Sequence, residues 1–224
     1  MRRPGCLVYG DRVLTMHCMG TDRTGKRLTR GALVRRGAAG GAMLLATASP
    51  WASPARAGSA AAAPDGDLAY LRVLIGAELL EADFHARALA GGKLTGRATS
   101  LLRRLAADEK AHYDGLANLM RASGQTPTTA GDIDFSYPKG TFARATAILE
   151  EAETLEQLVL GAYLGAVENV QTPELRLPLG QIAANEAQHA GAVAALAGRP
   201  VIGPAFAPSL QIRAVSDALD TYES

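Results

Sequence analysis

One short motif occurs twice, each time in helix-forming sequence. Residues 106–112 read Ala-Ala-Asp-Glu-Lys-Ala-His, and residues 183–189 read Ala-Ala-Asn-Glu-Ala-Gln-His. A Glu and a His three apart lie one turn from each other on the same face of a helix. Each copy also has a Glu well upstream: Glu78 stands 31 residues before Glu109, and Glu156 stands 30 before Glu186. The chain is therefore read as two related halves, each a pair of helices that offers one Glu from the first helix and a Glu-His pair from the second.

The rest of the sequence fits that division. From Asp65 to Ala90 apolar residues recur at Leu68, Leu71, Leu74, Ile75, Leu79, Ala82 and Ala86, mostly three or four apart, until Gly91-Gly92 stops the pattern. A second helix is predicted from Thr95 to Ala122, with Leu101, Leu102, Leu105, Ala111, Leu116 and Leu119 inward and Ser123-Gly124 at its end. Residues 124–140 carry two Pro, three Gly and three Thr, and form the one long connection. A third helix is predicted from Thr141 to Val170. A fourth opens with Thr172 as N-cap and Pro173 in its first turn, and ends near Gly198. Ser209 to Tyr222 reads as a short last helix. At about 3.3 Å per residue the long connection can run the length of a bundle of such helices. The predicted fold is all-α: a four-helix bundle with one long crossover between the second and third helices, plus a short C-terminal helix. Low aromatic content, 5% of 224 residues, argues against an all-β sandwich.

Four Glu and two His, brought in as one, two, one and two, suit a pair of divalent cations. Four carboxylates cancel the charge of two such ions and can bridge them, while neutral imidazoles add ligands without charge. Oxygen-rich ligation with two imidazoles fits iron or manganese better than a thiolate-preferring ion. The expected metal ligands are Glu78, Glu109, His112, Glu156, Glu186 and His189. The competing reading is a solvated polar face. It leaves unexplained why Glu78 stands between Ile75 and Leu79, and Glu186 four residues after Ile182. Other residues are left open. His85 is a further ligand, a partner of the ligands or a core residue. Tyr163, seven after Glu156 as His85 is seven after Glu78, is a core aromatic, a hydrogen-bonding partner of a ligand or an electron carrier. Glu81 and Glu153 are read as charges on the rim, Asp108 and Asn185 as groups that hydrogen-bond the ligands, and Glu150-Glu151 as a solvated run.

Charge divides the chain a second way. Residues 1–57 hold 10 Lys or Arg against 2 Asp or Glu, whereas residues 58–224 hold 13 against 20. Arg35-Arg36, the short apolar run of residues 37–48 and Ala55-Arg56-Ala57 follow the order of an export signal with a small-x-small cleavage pattern. The arginine pair, the weak apolar run and Arg56 resemble a twin-arginine signal, although Val34 and Ala38 depart from its usual pattern. A Sec-type signal and a basic tail are the alternatives, and Met16 or Met19 is an alternative start. The predicted organisation is an export signal over residues 1–57 and a helical domain over residues 58–224. Both cysteines, Cys6 and Cys18, fall in the first part, so the domain has no thiolate ligand and no disulfide. Its acidic balance disfavours nucleic acid as a partner. No apolar run is long enough for a stable membrane anchor.

These residues give the chain a resemblance to the ferritin-like superfamily, and within it to exported bacterial ferritin-like domain proteins related to desiccation-associated proteins. It is carried by residues 78–84 (Glu-Leu-Leu-Glu-Ala-Asp-Phe), Glu109-x-x-His112, the stretch from Glu156 through residues 162–166 (Ala-Tyr-Leu-Gly-Ala), and Ile182 through Glu186-x-x-His189. It covers roughly residues 65–198. The resemblance implies a four-helix bundle with a dinuclear metal site of the kind that oxidises Fe(II), reduces O2 or peroxide, or oxygenates substrates. His85 departs from the family pattern, which more often has Tyr there. Three functions stay open: an exported di-metal protein with ferroxidase or peroxide-scavenging activity, a metal-binding or stress-protective bundle without turnover, and an interaction module with a vestigial site. Its partners would be two iron ions, or manganese, with O2 or peroxide; a homodimer is also open.

Overall fold

Five helices and two short 3-10 turns make up the structure, a computed structural model that describes residues 63–224. The helices are α1 (Asp65–Ala90), α2 (Gly96–Ala122), α3 (Ala145–Asn169), α4 (Pro173–Leu196) and α5 (Ile212–Leu219). The predicted export signal over residues 1–57 lies outside the described residues.

The four long helices bury their apolar side chains together. Leu71, Leu74 and Ile75 of α1, Leu102 and Leu105 of α2, Ile148 and Val159 of α3, and Leu179 and Val193 of α4 are all fully or almost fully buried. The α1–α2 and α3–α4 links span only a few residues, so each pair is an antiparallel hairpin. Across the bundle α1 packs on α3, and α2 packs on α4. Residues 123–144 supply the long crossover. Gly92 (φ 63°) and Gly124 (φ 74°) turn the chain out of α1 and α2 through the left-handed region that a side chain disfavours.

Several boundaries differ from the sequence reading. The third helix starts at Ala145, not Thr141, because residues 138–143 form turns first: the Thr141 and Ala143 amides donate to the Pro138 and Gly140 carbonyls. The last helix begins at Ile212, not Ser209, because the Leu210 amide donates to the Gly161 carbonyl at 2.9 Å. That contact carries the chain across the face of α3. A Cβ at Gly161 would come within 2.7 Å of Leu210 Cγ, and one at Gly165 would run into the Leu210 carbonyl oxygen. The two glycines are there because backbone passes directly over them. At its start α4 is held from another helix: the Asp67 carboxylate of α1 accepts the amides of Gln171 and Thr172, each at 2.8 Å. The Thr172 side chain makes no cap of its own. Pro178 stands within α4, which continues through it with Leu175, Leu179 and Ile182 packed inward.

The core is broader than periodicity suggested on one side and narrower on the other. Ala86 and Ala111 are exposed rather than inward. Ala111 follows Glu109 by two residues, about 200° around the helix from the face that Glu109 presents. In contrast, residues 77–81 of α1 are buried without a break. α1 packs against α2, α3 and α5, and the crossover adds a further contact at Leu80, Asp83 and Phe84. Phe84 stacks against Tyr137 and Phe142 with ring centroids 5.8 and 5.5 Å apart, and the Tyr137 hydroxyl donates to the Leu80 carbonyl and to Asp83. α5 packs on α1 and α3. The C-terminal residues pair with the crossover through an isolated antiparallel bridge between Phe135 and Glu223.

Candidate metal centre

The six residues marked by the repeat meet at the middle of the bundle. Glu78 comes from α1, Glu109 and His112 from α2, Glu156 from α3, and Glu186 and His189 from α4. All four glutamates are fully buried, and the two histidines nearly so. The three-residue spacing does locally what it predicts: each Glu-His pair presents both side chains to the axis from consecutive turns.

The ligand atoms form two groups that share two residues. One holds Glu78, Glu109, His112 and Glu186; the other holds Glu109, Glu156, Glu186 and His189. The shared carboxylates divide their oxygens between the groups. Nδ1 of His112 lies 3.0 Å from Oε2 of Glu109 and 2.9 Å from Oε1 of Glu186. Nδ1 of His189 lies 3.2 Å from Oε1 of Glu109 and 3.4 Å from Oε2 of Glu186. Glu78 and Glu156 each belong to one group only, 3.5 Å from His112 and 3.4 Å from His189 respectively. Each half of the repeat thus builds the same arrangement, and the two meet at Glu109 and Glu186.

Outside the ring nitrogens that face inward, a second layer holds the histidines. The Asn185 amide lies between their outer nitrogens, 3.3 Å from Nε2 of His112 and 2.8 Å from Nε2 of His189. Asp108 lies 3.5 Å from Nε2 of His189 and is itself paired with Arg104 at 2.7 Å. The residue before each repeated Glu therefore supports the His of the other half, as its place in the motif suggested. The Tyr163 hydroxyl is fully buried and donates to Oε1 of Glu78.

Glu81 corrects the sequence reading. It is fully buried, not a rim charge, and neither of its oxygens has a hydrogen-bond partner. Glu81 stands three residues after Glu78, so it shares that inward face of α1 one turn farther along the bundle. His85 is also buried, with Nε2 3.8 Å from both Glu109 and Glu156. Glu153 is also buried rather than a free rim charge, but it pairs at 3.0 Å with Arg199, which is half exposed. Glu150 is exposed, whereas Glu151 accepts a hydrogen bond from the Tyr222 hydroxyl at 2.6 Å.

So many buried carboxylates need compensation. Burial pushes the Glu78 carboxyl up to about 8, against a hydrogen bond from His112 and with the added charge of Glu186 and Glu109. Glu81 and Glu156 are raised well above the usual carboxylate range, burial being the main cause. Burial also raises Glu109, but the imidazoles of His112, His189 and His85 beside it outweigh burial and hold this carboxyl below its ordinary value. Burial alone would lower both imidazoles. The carboxylates around them win, and His189 is pushed up to about 12, with His112 raised in the same sense. The donors also fit cations. Oε2 of Glu78, both oxygens of Glu156 and Glu186, and Nδ1 of His189 are buried without a hydrogen-bond partner. A hard divalent ion accepts such oxygens, and imidazole nitrogens complete the set.

The family model described as a ferritin-like domain matches residues 66–199, more than half of the chain and all six of these residues. Among solved structures, a hypothetical protein from Methanococcus jannaschii is similar, with a TM-score of 0.52 and 11% sequence identity over 72% of this chain and 95% of that one. At that identity the likeness concerns the fold. No curated protein sequence matches.

Proposed function

The chain belongs to the ferritin-like domain family, and from that fold and its buried Glu/His cluster we propose that it binds a dinuclear iron centre, with manganese as the alternative ion. The observation that carries this reading is the pair of four-residue groups sharing Glu109 and Glu186. Glu109 and Glu186 would be common to both ions, Glu78 and His112 would complete one position, and Glu156 and His189 the other. When bound as Fe(II), such an ion pair would supply the electrons that reduce O2 or peroxide and would itself be oxidised.

The chain's own residues set the conditions for that chemistry. Asn185 and Asp108 hold the rings so that both Nδ1 atoms face inward. The Tyr163 hydroxyl keeps a proton at Glu78. Full burial of the carboxylates keeps bulk water out. It also favours a small oxidant over a bulky organic substrate. We further propose that the protein is exported, on the strength of the basic, apolar and small-x-small order of residues 35–57. Fe(II) added to the purified chain under air should be oxidised faster than in buffer, and Glu109→Ala should remove the difference. Bound metal without any acceleration would instead favour a non-catalytic, protective bundle.

A further inference from the structure

The two halves of the repeat match in their six ligands but not in what surrounds them. On one side the Tyr163 hydroxyl occupies Oε1 of Glu78, so that carboxylate keeps a single free oxygen, Oε2. On the other side both oxygens of Glu156 are free. His85 stands there, at the place in α1 that Tyr163 holds in α3. Its Nε2 is 3.8 Å from Oε1 of Glu156 and 3.8 Å from Oε1 of Glu109, and neither ring nitrogen has a hydrogen-bond partner. Glu81 adds to this side too. It stands on the same face of α1 as His85, four residues before it, and is fully buried with two unpartnered oxygens. The corresponding residue three after Glu156 is Val159, which offers no donor.

We infer that Glu81 and His85 belong to the donor set of the Glu156–His189 position, making it the tighter of the two and the first to fill with a divalent first-row metal ion. The inference rests on the two-ion reading above. It adds one carboxylate charge and one imidazole to a single position, and both groups are buried polar side chains that no protein partner satisfies.

The test is a titration of the metal-free full chain with Mn(II), followed by calorimetry and electron paramagnetic resonance. The first equivalent should give the signal of an isolated ion, and the second should quench it as the two ions couple. Glu81→Gln/His85→Gln should weaken the first step about 10- to 100-fold and merge it with the second. Glu78→Gln should abolish the second step and leave one tightly held ion. The single variant His85→Gln, with a smaller loss at the first step, serves if the double variant does not fold by circular dichroism. Two ions bound in one indistinguishable step by the wild-type chain would overturn the inference and leave the two-ion reading standing. So would a first step that neither variant weakens. Failure to bind Mn(II) or Fe(II) at all would overturn both.

Discussion

In the metal-free centre, protons do the work that cations would otherwise do. Glu78 is raised from 4.5 to about 8 and His189 from 6.5 to about 12. A group whose folded pKa lies above its unfolded value takes up a proton on folding. Its share of stability is complete below the unfolded value and is lost as pH rises toward the folded one. For Glu78 that window runs from pH 4.5 to about 8, and His189 begins to act above 6.5. The melting temperature of the chelator-treated chain should therefore fall as pH rises across pH 4.5–8. Bound metal should reverse the trend, because ions and protons compete for the same atoms, and metal uptake should release protons. Asn185 tests the layer behind the ligands. Asn185→Ala should weaken metal binding about 10- to 100-fold while the helical circular dichroism stays unchanged. The six residues that cluster at the centre were legible in the sequence because a motif repeated at matched distances is improbable on a mere polar face. Glu81 and the contacts of His85 were not legible. Their places three and seven residues after Glu78 put them on its face of α1, but how deeply that face is buried and what His85 approaches depend on how α1 packs against α2 and α3.

Among the elements, helix identity followed from apolar spacing and from the Gly and Pro breaks, so all five helices were found. The ends that moved are those where a long-range hydrogen bond claims the backbone. Leu210, whose amide binds Gly161, is the clearest case. The same crossing explains Gly165 of the Ala-Tyr-Leu-Gly-Ala stretch, which sequence alone could mark but not interpret. Gly165→Ala should force the crossing chain away from α3 and cost about 1–3 kcal/mol, read as a lower midpoint in urea. Asp67 ties α1 to the start of α4. Asp67→Ala removes the acceptor of two partly buried amides and should cost about 1 kcal/mol. Its measured signature is earlier hydrogen exchange at residues 171–175 than in the rest of α4.

For the whole molecule, the one-crossover bundle brings two copies of a helix pair together so that their second glutamates meet at the centre. Neither half alone completes either group, since Glu109 and Glu186 serve both. Among the described residues no helix is long and apolar enough to cross a membrane. Export predicts that the protein recovered outside the cytoplasm begins near Gly58, which N-terminal sequencing would read directly. Recovery of the full-length chain from the cytoplasm alone would contradict it. The central claim is the dinuclear centre, and metal content by mass spectrometry tests it most directly. The full chain, purified without chelator and loaded anaerobically with Fe(II), should hold about two ions per chain, the number that the two ligand groups provide for. A Glu109→Ala/Glu186→Ala variant that remains folded should hold almost none. Little metal in the wild-type chain, or equal metal in both proteins, would contradict the account.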